Sequence, residues 1–358
     1  LNSRERVFAS VRGELTDCYA VTPYNGNFSI KFSGYKLNEC YTDGRKLAEA
    51  QLRAWEEFGQ DVIVAQSDQF YMLEGMGVKT KHHDNALPET VSRPISSISE
   101  AGKLKPIDPY KDGRAYVYIE AIGLLAERVK GAAAIRAPGA GAFTMAGNML
   151  GIPEFLETMF LAMIEDDEKS QAQLLDLIEV MYESHYRFCE ACVKAGADIV
   201  QCADSAASLD LTSPAIYEKF AYPFEKRFFE RISKLKAEYD FLTLLHICGN
   251  TTKIAPLIAS TGCDIYEADY KVDLSSFRDT VGDRVCIMGN LNPAGELLFG
   301  NPADVKRAAL GVVENTGYPT KLLLGSGCEV SADTPVQNMK SFIETGHNLS
   351  PRFYAGSR

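Results

Sequence analysis

Short apolar runs rich in β-branched residues recur along this chain, at Asp61–Gln66, Ala132–Ala137, Asp198–Ala203, Phe241–Cys248, Asp264–Ala268, Arg284–Gly289 and Lys321–Gly325. Runs that stay apolar on both faces suit strands covered on both sides, as in parallel sheets layered with helices. Helical patterns with start signals lie between them, at Pro153-Glu-Phe-Leu, from about Glu165 to Lys194, at Ser213-Pro-Ala, at Asn301-Pro-Ala-Asp and at Asp333-Thr-Pro-Val. Repeated strand-then-helix order predicts an α/β fold, and its regular spacing over residues 61–345 favours a closed (β/α)8 TIM barrel over an open sheet. Seven strands are visible, and the eighth is hidden. Residues 1–60, with one helix around Arg45–Phe58, read as an N-terminal extension packing on a barrel domain of residues 61–358. The proline-, serine- and charge-rich stretch from His82 to Tyr116 reads as a surface excursion with some helix.

Composition narrows the partners. With 48 acidic against 37 basic side chains, the net charge is −11. That balance speaks against nucleic acid and against anionic membrane surfaces. No apolar run reaches the roughly 20 residues of a spanning helix, and the opening Leu1-Asn-Ser-Arg-Glu-Arg lacks a signal-peptide core, so a cytoplasmic protein is expected. The nine cysteines are an odd set, read as free thiols with a few available as metal ligands.

Each strand-like run ends in a polar or glycine-rich cluster, and in a barrel those ends converge on the face that carries chemistry. His246-Ile-Cys248 places an imidazole and a thiol two residues apart on a strand, facing the same way, a grip suited to zinc. Cys328, in the tight Gly325-Ser-Gly-Cys turn of a later strand end, supplies a third ligand. A His-Cys-Cys set leaves one tetrahedral position open, as catalytic zinc requires; a closed structural site would need Cys202 or Cys263 as well. Asp68, Asp204, Glu267 and Asp269 end neighbouring strands, where they can orient His246, reach the metal or hold substrate, or equally serve as helix caps and loop acceptors. Pro138-Gly-Ala-Gly lacks the Lys-Ser/Thr ending of a phosphate loop, and His82 and His83 read as solvated.

Over nearly its whole length the chain resembles the uroporphyrinogen decarboxylase superfamily, a barrel fold. Asp61-Val-Ile-Val-Ala-Gln-Ser-Asp-Gln-Phe and Gly141-Ala-Phe-Thr-Met-Ala-Gly-Asn are similar to its first two signatures, and the resemblance puts Asp68 at the decarboxylases' catalytic aspartate. The decarboxylases' arginine-rich amino-terminal motif is missing around Thr22-Pro-Tyr-Asn, their tyrosine falls at Asn148 and their late histidine at Ser326. Leu245-His-Ile-Cys-Gly-Asn, Asp269-Tyr-Lys-Val-Asp and Gly325-Ser-Gly-Cys-Glu-Val instead resemble the branch of methylcobamide:coenzyme M methyltransferases. That branch implies Zn2+ on His246, Cys248 and Cys328, a methylcorrinoid donor carried by a partner protein, and a small thiol acceptor. The other readings are a decarboxylase centred on Asp68, a first methyltransferase that loads the corrinoid, and a non-catalytic zinc- or corrinoid-binding protein.

Overall fold

The computed structural model describes residues 1–66, 68–317 and 319–355. Its strands are β1 (Val21–Tyr24), β2 (Val62–Val64), β3 (Lys79–His83), β4 (Ala86–Ser92), β5 (Ala134–Arg136), β6 (Ile199–Ala203), β7 (Leu242–Ile247), β8 (Ile265–Ala268), β9 (Cys286–Asn290) and β10 (Leu322–Glu329). Eight of them form one sheet in the order β1-β10-β9-β8-β7-β6-β5-β2. All its pairings are parallel. The two ends meet where the Asp61 N–H donates to the Val21 carbonyl at 2.9 Å, and helices flank the sheet, so the fold is a (β/α)8 barrel.

The hidden eighth strand is β1, and it falls inside the segment expected to be an extension. A boundary at residue 60 therefore cuts through the barrel. Val-Thr-Pro-Tyr escapes a periodicity reading because it has only four residues and its proline removes a ladder donor, with a break in register between Thr22 and Tyr24. The excursion from His82 also differs from expectation. It opens on an antiparallel hairpin of β3 and β4, then a 3-10 turn at Ile98–Lys103, and runs into the helix Ala115–Val129. His82 and His83 lie on β3, partly exposed, each beside a glutamate.

Strand alternation sorts the core into two layers. Val62, Val64, Ala134, Ile199, Leu242, Leu244, Ile265, Met288 and Leu323 fill the barrel, and Val7, Phe8 and Val11 of the helix Ser3–Arg12 join them. Their neighbours Ile63, Ile135, Val200, Cys202, Leu245, Tyr266 and Leu324 point outward into the helical layer. No helix among the described residues is long and apolar enough to cross a membrane.

An aspartate precedes three of the strands and stitches each to a neighbour. The Asp61 carboxylate accepts the Val21 N–H at 2.7 Å, Asp198 accepts the Ile135 N–H at 2.9 Å, and Asp264 accepts the Thr243 N–H at 2.7 Å. All three sit at the strand starts, the end of a barrel that serves stability. Asp61 does most, holding the β1–β2 seam while pairing with Arg6 at 2.5 Å and His347 at 2.8 Å. Asp61→Ala orphans a buried N–H and takes a partner from Arg6, so a loss of about 3 kcal/mol is expected in urea unfolding. Asp17→Ala, which removes Arg6's half-exposed partner, is expected to cost about 1 kcal/mol or less. Equal losses in the two variants would contradict this account of the seam.

Candidate metal centre at the barrel mouth

β7 carries His246 next to its last residue and leads directly into Cys248, and β10 carries Cys328 next to its last residue, Glu329. The ligand atoms of His246, Cys248 and Cys328 all lie within 4.8 Å of one another. His246 Nε2 is 3.3 Å from the Cys248 sulfur and 4.0 Å from the Cys328 sulfur. A tetrahedral zinc with ordinary bond lengths separates nitrogen and sulfur ligands by about 3.6 Å, which these two distances bracket. The imidazole is oriented for such a role, because Nδ1 lies 3.1 Å from the Glu267 carbonyl and leaves Nε2 for the thiols. The residues present thus fit a zinc ion.

The three groups also polarise one another. The hydrogen bond from Cys328, with the His246 ring beside it, pulls the Cys248 thiol well below the ordinary thiol range against the opposing effect of burial. Cys328, as the donor in that pair and itself buried, is pushed up. Burial works against a charged His246, yet Cys248 and Glu267 raise it to about 9. The site therefore accommodates thiolate character readily.

Glu267, on β8, lies directly behind the imidazole, with its carboxylate 3.4 Å from His246 Nδ1. It is 1% exposed, and burial pushes its carboxyl up, but Arg136 of β5 outweighs this and holds it below the ordinary range. Arg136 donates to both Glu267 oxygens at 2.8 and 2.7 Å and to Gln201 Oε1 at 2.6 Å. Its guanidinium also lies over the Tyr24 ring, 4.4 Å from the centroid. Glu267 thus lies beside the imidazole of the three-residue cluster.

The other three predicted carboxylates are placed differently. Asp204 is fully buried and accepts the Thr144 N–H at 2.7 Å, capping the start of the helix Ala142–Leu150. Gly141 has no Cβ because one there would fall 2.3 Å from the Asp204 carboxyl carbon. Asp269 accepts the Lys271 N–H at 2.9 Å in a local turn. Asp68 does face the cavity at the mouth, but Arg114 holds it at 2.8 Å. Neither candidate for a closed zinc site reaches the ligand set. Cys202 points out into the helical layer, and Cys263 precedes β8, at the opposite end of the barrel from the mouth.

Burial raises Asp204 to about 6, against the hydrogen bonds from Thr144 and Phe143 that lower it. A folded value above the unfolded one means the native state binds more protons between about pH 4 and pH 6, so this group lowers stability as pH rises through that window. The fall amounts to at most about 3 kcal/mol. Asp204→Asn keeps an acceptor for Thr144 and is expected to flatten it. Urea midpoints at about pH 4.5 and about pH 7.5 check this, and the same pH dependence in both proteins would contradict it.

The cavity beside the ligands encloses about 230 Å3 and is walled by Tyr24, Gln66, Asp68, Arg136, Gln201 and Glu329, among others. Arg136 and Glu329 were missed as site residues. A signal for the first was an arginine inside the apolar run Ala132-Ala-Ala-Ile-Arg-Ala, since a buried charge requires a partner. Glu329 follows Cys328 directly, and burial raises its carboxyl to about 7 despite a hydrogen bond from Asn27. A larger groove, about 570 Å3, lies on the outer surface between the helices Gly44–Phe58 and Ala115–Val129, away from these groups.

Comparison with known proteins gives relatives along the whole chain. Methylcobamide:CoM methyltransferase MtbA of Methanosarcina acetivorans is 26% identical over 349 residues, covering 96% of this chain and 97% of that protein. Methylcobamide:CoM methyltransferase MtaA of Methanosarcina barkeri is 25% identical over 345 residues, covering 95% and 96%. Uroporphyrinogen decarboxylase of Prochlorococcus marinus is 27% identical over 303 residues, covering 84% and 82%. Among solved structures, a methyltransferase from Methanosarcina mazei superposes with a TM-score of 0.84 at 23% identity over 99% of both chains, a likeness of fold. The sequence pattern described as uroporphyrinogen decarboxylase (URO-D) matches residues 2–349, and the chain belongs to that family.

Proposed function

We propose that this protein is a zinc-dependent methyltransferase that moves a methyl group from a methylated corrinoid, carried by a partner protein, to a small thiol. The observation that carries the reading is the convergence of His246, Cys248 and Cys328 on one side of an open cavity. Relatives named for methyl transfer and for decarboxylation are about equally similar in identity, so the site has to discriminate. A three-ligand His-Cys-Cys set with a free side suits a thiol acceptor.

The same geometry argues against the decarboxylase reading. Asp68 is neutralised by Arg114, and the cavity-lining arginine, Arg136, is committed to Glu267. Nothing basic is left over for a polycarboxylated substrate among the described cavity residues other than His246. A volume of about 230 Å3 lies below the roughly 300–1,000 Å3 of pockets for drug-sized ligands, which suits a small acceptor better than a tetrapyrrole. For the same reason the corrinoid must approach over the rim, with the acceptor seated beneath it.

When bound, zinc on His246, Cys248 and Cys328 supplies Lewis-acid stabilisation of the acceptor thiolate at neutral pH. The protein contributes the rest by position. Glu267 and Arg136 would hold His246 in one tautomer and orientation, and transfer would require the acceptor sulfur in line with the methyl–cobalt bond, so positioning in the cavity would supply much of the rate. The acceptor would give up its thiol proton to water, a sulfur–carbon bond would form as the cobalt–carbon bond breaks, and the electron pair of that bond would stay with cobalt. Methylcobalamin can stand in for the loaded partner in a test. Zinc-loaded protein is expected to demethylate it only when a small thiol is present, read from the corrinoid spectrum and the thioether formed. Porphyrinogen decarboxylation without methyl transfer would overturn the proposal in favour of the decarboxylase.

A further inference from the structure

Two acidic side chains, Asp68 and Glu329, line the cavity, a third, Glu267, stands behind His246, and two of the three are answered by arginine. Glu267 is paired with Arg136 and Asp68 with Arg114. Glu329 is different. One of its carboxylate oxygens accepts from Asn27 Nδ2 at 2.5 Å and from Gln66 Nε2 at 3.3 Å, and no basic side chain among the described residues pairs with it. Asn27 is held in turn by the Tyr41 hydroxyl, which donates to its Oδ1 at 2.7 Å. Consecutive strand residues ordinarily face opposite sides, but Gly327, at φ +65°, turns the end of β10 so that Cys328 and Glu329 both line the cavity. A Cβ at Gly327 would also meet the Tyr270 nitrogen at 2.9 Å, so the turn depends on glycine.

Glu329 is a half-buried carboxylate held on one oxygen by neutral amides, with its other oxygen open to the cavity and free to meet a cationic group there. Arg136 cannot be that group, because it spends its donors on Glu267 and Gln201. With His246 engaged as a zinc ligand, an acceptor carrying a sulfonate or carboxylate would meet no free cationic side chain among the described cavity residues and would lie against Glu329. One carrying an ammonium would supply the missing charge while its sulfur faces the Cys248 and Cys328 side of the same small space.

We propose that Glu329 is the residue that determines acceptor specificity, and that the acceptor is a small thiol bearing a primary ammonium group. This rests on the methyl-transfer reading of the site. It separates the chain from relatives named for CoM, an anionic thiol.

The test compares cysteamine, 2-mercaptoethanesulfonate and 2-mercaptoethanol as acceptors with methylcobalamin and zinc-loaded protein, and measures binding of each thiol by calorimetry without a methyl donor. In the wild type, kcat/KM for cysteamine is expected to exceed that for 2-mercaptoethanesulfonate by about tenfold or more, with the same order in binding. Glu329→Gln is expected to lower the cysteamine-to-sulfonate ratio by about 10- to 100-fold, the scale of one charge-assisted hydrogen bond, and Glu329→Lys to invert it. A wild-type preference for the sulfonate, or a ratio unmoved by Glu329→Gln, overturns the proposal. The wild-type comparison stands even where a variant fails to fold. Selective binding of cysteamine with no methyl transfer to any thiol overturns the methyl-transfer reading and keeps the ammonium selectivity, whereas transfer to all three thiols without preference does the reverse.

Discussion

Cys248→Ala is expected to lower zinc affinity by more than 100-fold and to abolish thiol-dependent methyl transfer, while the fold persists. Outer groups that merely orient a metal ligand are worth about 10- to 100-fold in affinity, so deleting one of three direct ligands must cost more. The remaining His246 and Cys328, 4.0 Å apart, form a bidentate grip that buffer chelators outcompete. Structural damage should be small, since Cys248 is part-exposed at the mouth and contributes little packing. Cys263→Ala provides the contrast. That thiol is buried at the opposite end of the barrel and is expected to leave zinc affinity at the wild-type level. Competition titration with a chromophoric chelator measures both, with circular dichroism to confirm folding. Loss of zinc in Cys263→Ala, or its retention in Cys248→Ala, would contradict the three-ligand assignment.

The second large effect concerns the pair behind the imidazole. Glu267→Gln leaves Arg136, 2% exposed, without a counter-charge inside the barrel. Breaking a buried pair from one side typically costs about 3–5 kcal/mol, because the surviving charge can neither be hydrated nor neutralised. The same substitution loosens the support of His246 Nδ1, so a further drop of about 10- to 100-fold in zinc affinity is expected. Stability and metal binding can be separated. The double variant Arg136→Met with Glu267→Leu removes both charges and fills the space, which often restores stability. It should recover most of the urea midpoint lost by Glu267→Gln and none of the zinc affinity. Recovery of both would mean that Glu267 acts only through folding.

Much of the barrel is legible in the sequence because its strands are buried on both faces. Residues such as Ile199 through Ala203 and Leu242 through Ile247 then appear as nearly continuous apolar runs, broken only by Gln201, Thr243 and His246. β1 breaks that rule with four residues, one of them proline, and its ladder partner, β10, lies some three hundred residues away, which no local pattern records. The hairpin of β3 and β4 is mostly exposed and polar, so burial imposes no alternation on it. Within the site, His246 and Cys248 are readable from strand spacing, whereas Cys328 joins them through the closure of the barrel. The carboxylates divide for the same reason. A strand-end position puts Glu267, Asp204, Asp269 and Asp68 near the mouth, but whether each meets an imidazole, a helix start, its own turn or an arginine depends on neighbouring elements.

The central claim is that His246, Cys248 and Cys328 form a metal site with one position open to a thiol acceptor. X-ray absorption at the zinc edge, on zinc-loaded protein with and without a small thiol, tests it most directly. The ligand set predicts one nitrogen and two sulfur donors from the protein, with a third sulfur appearing when thiol is added. A shell of four protein ligands that thiol leaves unchanged would contradict it.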